Sequence, residues 1–223
     1  MNPLAAITAT FEVSPRETLS SGIPDLDALT GGFPRGGITE LVGPESSGRT
    51  TLANTLLAAA TARGEVCCHI DTSDAFDPVS AAQAGTVLSQ LLWVRCGGNA
   101  EHAFKAADAI LHAGGFGVVL LDLARISERA ANRIPISYWY RFRRAIENTP
   151  TVLALVEKNA LARSCAALML DVKRDAAHWR GAPGFELFRG MGIGVTPRKP
   201  AGRGRANIDA SAQDAVGAFR CAR

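Results

Sequence analysis

Apolar positions fall in short blocks, separated by glycine-rich turns and by stretches of helical period. Ile38–Val42, Glu65–Ile70, Leu91–Arg95, Gly117–Leu121 and Thr151–Val156 read as strands. Gly117–Leu121 is apolar throughout, the pattern of a parallel strand buried on both faces. Thr50–Ala62, Ala100–His112 and Ile136–Glu147 read as helices, another starts over Pro78–Ala84, and Gly22–Gly36 gives a short helix and a Gly/Pro turn. This alternation predicts an α/β fold with a doubly wound, mainly parallel sheet. After Cys165 the pattern changes. Cys165–Val172 and Gly192–Pro197 read as strands of a small antiparallel extension on the C-terminal side. Residues 1–20 are expected to form an N-terminal arm, with a short helix or strand at Leu4–Val13, and residues 21–197 the core. Residues 198–223 are expected to form a basic flexible tail, because 198–214 has little apolar content and many breakers.

Composition narrows the class. Hydrophobic residues make up 47% of the 223, enough for one domain with a real core. The longest apolar runs are of strand length, so no membrane span is expected. The opening MNPLAAITATFEV lacks the basic start and long apolar run of a signal peptide, so a cytoplasmic protein is expected. Cys67, Cys68, Cys96, Cys165 and Cys221 have no metal-ligand spacing and read as reduced structural thiols. The net charge of +3 hides a split: residues 1–122 hold 6 Lys/Arg against 13 Asp/Glu, and residues 123–223 hold 18 against 8. Such asymmetry points the second half towards an acidic partner or another subunit, or gives it a solvated arginine-rich face.

The chemistry begins at Gly43-Pro44-Glu45-Ser46-Ser47-Gly48-Arg49-Thr50-Thr51. A strand is expected before it and a helix after it. In that context a GxxxxGK[ST] loop aims its backbone N–H groups at phosphates, and the helix N-terminus adds positive potential. ATP and magnesium are the expected ligands, with Gly43–Thr51 as the cradle and the Thr50 hydroxyl on the metal. Arg49 stands where a lysine is usual; it keeps the charge on a wider, planar and always protonated group. Asp122 ends the strand GVVLLD and is the expected magnesium carboxylate.

The segment GPESSGRTTL, followed by IDTSDAFDP, resembles bacterial RecA. Gly22–Gly32 (GIPDLDALTGG) and Leu170–Arg174 (LDVKR) extend the resemblance over roughly Leu19 to Arg174. It implies a RecA-like P-loop core. It also implies ATP binding, with Asp77 and Pro78 flanking the adenine. RecA proteins assemble on single-stranded DNA and hydrolyse ATP between subunits. Three departures stand against hydrolysis here: Arg49, Ser73 at the place of the catalytic glutamate, and Lys158 at the place of a sensor glutamine. A serine cannot orient or deprotonate water as a carboxylate does. Only Glu157–Ser164 separates two strands where RecA has a long DNA-binding loop, and the N-terminal arm is shorter.

Arg125–Arg144 joins aromatics to arginines, and Trp139, Arg141, Arg143 and Arg144 are its candidate contact residues for a partner or DNA. Trp139 and Arg143 share a face at helical spacing. Three readings stay open: a protein interface, a single-stranded DNA contact, or a packed core with solvated arginines. GGFPRGGITELVG and RIPISYWYRFRRA narrow the resemblance to the ImuA proteins, accessory factors of damage-induced translesion synthesis. That resemblance implies an ImuB-like, polymerase-related protein and RecA-type proteins as partners. The alternative expectation is an active DNA-dependent ATPase recombinase; a signalling ATPase sharing the core is a third.

Overall fold

The computed structural model describes residues 17–182, 184–200, 204–211 and 220–221. In chain order the elements are β1 (Thr18–Leu19), α1 (Pro24–Thr30), β2 (Phe33–Pro34), β3 (Gly37–Val42), α2 (Arg49–Thr61), β4 (Cys67–Asp71), α3 (Pro78–Gln83), β5 (Leu91–Arg95) and α4 (Ala100–Ala113). They continue with β6 (Val118–Asp122), α5 (Glu128–Ala131), α6 (Ile136–Ile146), β7 (Val152–Glu157), β8 (Ala166–Arg180), β9 (Leu187–Lys199), β10 (Ala206–Ser211) and β11 (Arg220–Cys221).

Nine strands form one sheet in the order β11-β10-β9-β8-β3-β7-β6-β4-β5. From β8 to β5 every pair is parallel, and from β8 outward to β11 every pair is antiparallel. This is the α/β architecture expected from the sequence, a mainly parallel sheet with an antiparallel extension. Strand alternation sends side chains to two apolar layers. Leu41, Leu120, Ala154 and Leu170 face α2 on one side. Ile38, Ile70, Leu121 and Leu153 face α4 and α6 on the other. No helix among the described residues is long and apolar enough to cross a membrane.

Three boundaries differ from the sequence expectation. The hairpin strands β8 and β9 run 15 and 13 residues, well beyond Cys165–Val172 and Gly192–Pro197. The stretch expected as a flexible tail contains β10, which pairs along β9 from Ala206↔Val195 to Ser211↔Gly190. Ala206 and Ile208 are buried, so a short alternating pattern found a cover that local composition did not reveal. Leu19, placed in the arm, is fully buried and packs in the core. The expected element at Leu4–Val13 lies outside the described residues.

Helix α6 settles one of its own readings. Trp139, Phe142 and Ile146 are buried, and Trp139 packs edge-on against Phe104 with ring centroids 5.2 Å apart. Trp139 is therefore a core residue and not a contact residue. Its indole covers the sheet, and the helix turns Arg141, Arg143 and Arg144 outward.

Two buried carboxyls hold the loop after β7. Glu40, on β3, accepts from the N–H groups of Ala162 (2.6 Å) and Arg163 (3.2 Å). Glu157, ending β7, accepts from Leu161 N–H (3.1 Å). Both residues are 1% exposed or less, and each keeps an Oε2 atom with no donor. Burial first, and the neighbouring Glu40 second, push the Glu157 carboxyl well above its ordinary value of 4.5. A proton on Glu157 would serve the lone oxygens, because two carboxylates side by side in an apolar layer repel.

Two predictions follow from these layers. Trp139→Ala should cost about 3–5 kcal/mol in urea unfolding, the range for a large buried aromatic. Glu157 carries a raised folded-state pKa, so its favourable contribution is complete below its unfolded value and declines as pH rises through the folded one. Glu157→Gln removes that decline. Thermal melts from pH 5 to pH 8 should show the variant gaining on the wild type as pH rises, and parallel curves would refute the shared proton.

Candidate functional site

The phosphate loop runs from the end of β3 to the start of α2. Gly43 donates its N–H to the Glu157 carbonyl at 3.2 Å, which ties the loop to β7. A Cβ at Gly43 would lie 2.2 Å from the Val172 carbonyl oxygen, so only glycine fits. Gly48 has φ +98°, and a Cβ there would meet Ile193 Cδ1 at 2.5 Å. Ser46 also has positive φ (57°), at the crest of the turn. Helix α2 starts at Arg49 without a side-chain cap, so its first N–H groups stay available to a ligand.

Arg49 is 5% exposed, and its Nη1 has no hydrogen-bond partner. Burial lowers its pKa, and the carboxylates of Asp122, Glu45 and Glu157 oppose that shift. The group stays charged, because a guanidinium does not deprotonate in proteins. Ser47 is 1% exposed, and its Oγ is likewise unpartnered. These are two buried polar atoms that a phosphate oxygen would satisfy, which is the fit expected of a nucleotide cradle. Pro44, Glu45, Ser46 and Thr50 are exposed, and Thr51 is half-buried at the helix start.

Asp122 ends β6, in register with Asp71 on β4. Its carboxylate accepts from Ala124 N–H at 2.8 Å. Burial pushes its pKa up, nearby Asp71 adds to that, and Arg49 and Arg125 pull it down. A divalent cation beside it would favour the charged form further. Thr50 and Asp122 are thus the residues available to magnesium.

The turn after β4 is arranged differently from what the resemblance alone conveys. Asp71 accepts from the N–H groups of Ser73, Ala75 and Phe76 and from the Trp93 indole. Asp74 is drawn away to Arg95, at 3.2 Å. Among the described residues, Asp74, the acid next to Ser73, is thus engaged elsewhere. Asp77 caps α3, accepting from Val79 and Ser80 N–H groups, with Pro78 in the first turn. Those bonds to the neutral hydroxyl and amides of its own turn lower the Asp77 pKa. Among the described residues no hydrogen bond joins Asp77 or Pro78 to the cradle.

Lys158 is exposed and lines a cavity of about 320 Å³ with Gly43, Pro44, Asp171, Lys173 and Arg198. On α6, Arg141 pairs with Asp108 and lies 5.5 Å from the Tyr138 ring centroid. Arg143 lies 5.5 Å from the Tyr140 centroid, and Arg144 is exposed. Sequence reasoning passed over Glu40 and Glu157. Their only sequence signal was an acid inside each of two otherwise apolar strands.

The chain resembles the crystal structure of the RadB recombinase, with a TM-score of 0.64 and 18% sequence identity, over 86% of this chain and 96% of that one. At that identity the likeness concerns the fold, and it extends through the antiparallel strands as well as the parallel ones. Residues 8–131, which carry the phosphate loop and Asp122, match the family described as the RecA N-terminal domain. That span exceeds half of the sequence, and the chain belongs to the RecA N-terminal domain family.

Proposed function

We propose that this protein is a nucleotide-binding, poorly hydrolysing RecA-type accessory factor of DNA repair. Its closest functional kind is the ImuA type, acting in damage-induced translesion synthesis. The observation that carries this reading is the pairing of a fitted cradle with an unfitted catalytic position. Arg49 Nη1 and Ser47 Oγ wait as buried donors, while Ser73 offers no carboxylate and Asp74 is held by Arg95.

In this reading the amides of Ser47–Thr50 and the Arg49 guanidinium would hold the nucleotide's phosphates. Thr50 and Asp122 would hold magnesium, which would supply charge neutralisation. Burial of Arg49 strengthens its hold, because the surrounding dielectric is low. Among the described residues no carboxylate stands at Ser73 to orient an attacking water, so bound nucleotide acts as a structural ligand. It stabilises the folded form by an amount that grows with the logarithm of its concentration above the Kd.

Docking falls to the outer face of α6. Arg141, Arg143 and Arg144 lie there with Tyr140, which is 48% exposed. Arginine and tyrosine are favoured at interface hot spots, and an ImuB-like protein or a RecA-type protein is the partner class. Single-stranded DNA remains a second occupant of that face, since arginine and tyrosine also serve stacking contacts.

Calorimetric titration with ATP and magnesium should show binding that weakens by at least about tenfold in Arg49→Ala and in Asp122→Ala, the scale of losing a charge-assisted contact. Phosphate release should stay at background with and without single-stranded DNA. DNA-stimulated turnover lost in Asp122→Ala would instead establish the recombinase alternative. Coprecipitation with an ImuB-like partner should fail in Arg143→Glu/Arg144→Glu, while the melting temperature holds, because both side chains are exposed.

A further inference from the structure

A second cavity, of about 940 Å³, opens at the carboxyl ends of β4, β5 and β6. None of Gly43–Thr51 lines it, nor does Asp122. Its walls come from three loops. Thr72 and Ser73 follow β4, the Gly97–Gly98–Asn99 turn follows β5, and Arg125 and Arg133 follow β6. Its size is that of a small-molecule site, and the carboxyl ends of parallel strands are where α/β sheets place ligands.

Arg125 and Arg133 bring donors to it, while the acceptors Asn99 Oδ1 and Ser127 Oγ are taken up by N–H groups at the starts of their own helices. Helix α4, of 14 residues, begins at the cavity, with Asn99 capping it through the Glu101 and His102 N–H groups. Its N-terminus brings positive potential to the opening. Arg125 and Arg133 are both exposed and make no ion pair or side-chain hydrogen bond among the described residues. Arg125 feels Asp122 only at a distance. The one carboxylate on the wall, Glu101, is paired with Lys105 at 2.7 Å.

Thr72 supplies the independent observation. It is 1% exposed, lines the cavity, and its Oγ1 has no hydrogen-bond partner. Its own carbonyl is engaged by Gly98 N–H at 2.7 Å, which draws the glycine turn against it. A buried hydroxyl without a partner is costly, and such groups ordinarily mark a ligand or an ordered water. The opposite wall is flat and apolar: Tyr138 sits edge-on to Phe104, with centroids 5.2 Å apart.

We infer that this cavity binds a small phosphate-bearing ligand, separately from the nucleotide in the phosphate loop. Arg125 and Arg133 clamp the phosphate, Thr72 donates to it from below, and the Tyr138 face accommodates an attached ring or chain. Planar guanidinium groups suit phosphate oxygens, and a paired clamp fixes orientation as well as charge.

Pyrophosphate is the probe, titrated calorimetrically without magnesium into four proteins: wild type, Arg49→Ala, Arg125→Ala/Arg133→Ala, and Arg125→Lys/Arg133→Lys. Arg49→Ala, which weakens the phosphate loop, should keep a pyrophosphate site of wild-type affinity. The double alanine variant should lose that site's affinity by at least about tenfold, and the double lysine variant should recover part of it. Circular dichroism should show all four folded. Absence of binding in the wild type would overturn the inference, as would binding that is lost in Arg49→Ala or ignores the arginine pair. A nucleic-acid occupant would also overturn it: a single-stranded oligonucleotide would bind through the arginines while pyrophosphate does not. Weakened ATP binding in Arg49→Ala, with pyrophosphate binding intact, separates this site from the phosphate loop.

Discussion

Val172 and Ile193 crowd the two ends of the phosphate loop, and the site's geometry depends on that crowding. The Val172 carbonyl occupies the space a Cβ on Gly43 would need, and Ile193 occupies the space beside Gly48. Val172 lies on β8, which pairs parallel with β3, and Ile193 on β9, the antiparallel strand beside it. The hairpin thus fixes the cradle from outside, while β7 ties it from within through the Glu157 carbonyl. Close backbone approach of this kind leaves the loop few alternative conformations, so its donors are preorganised. It also explains why the antiparallel strands belong to the functional unit. Removing them would take away the surface on which both glycines are seated.

Placing arginine in such a cradle changes its electrostatics. A buried lysine can shed its proton; a buried arginine cannot, so its charge must be answered. Asp122 and Glu45 surround Arg49 with negative potential, yet neither forms an ion pair with it among the described residues. The charge is therefore balanced only at a distance, and its Nη1 has nothing to donate to. A polyanion would complete this arrangement more fully than the protein's own acids do. Nucleotide binding would then be a stability term for the fold, consistent with a protein that keeps the cradle without the catalytic carboxylate.

The parallel sheet and the cradle were legible in the sequence because both are written locally. A continuous apolar run such as Val118–Leu121 admits few readings, and a glycine-rich turn between strand and helix carries its own geometry. Trp139 was harder, because a tryptophan among arginines satisfies the same periodicity whether it faces the sheet or a partner. Only the position of Phe104 on α4 decides it. The tail was misjudged for a related reason: Ala206 and Ile208 become a strand by pairing with β9, some fifteen residues away in sequence. Strand propensity of so short a segment depends on what covers it. The donor-lined cavity is the least legible feature, since Thr72, Arg125 and Arg133 come from separate loops with no common motif.

The short loop after β7 brings three backbone N–H groups down onto the sheet. Leu161, Ala162 and Arg163 would be costly there without acceptors, and Glu157 and Glu40 supply them. Two acids in an apolar layer would in turn be costly if both were charged. Burial raises the Glu157 carboxyl well above its ordinary range, which favours its neutral form beside Glu40. The acids inside β3 and β7 thus answer the amides of this loop and fix it against the sheet.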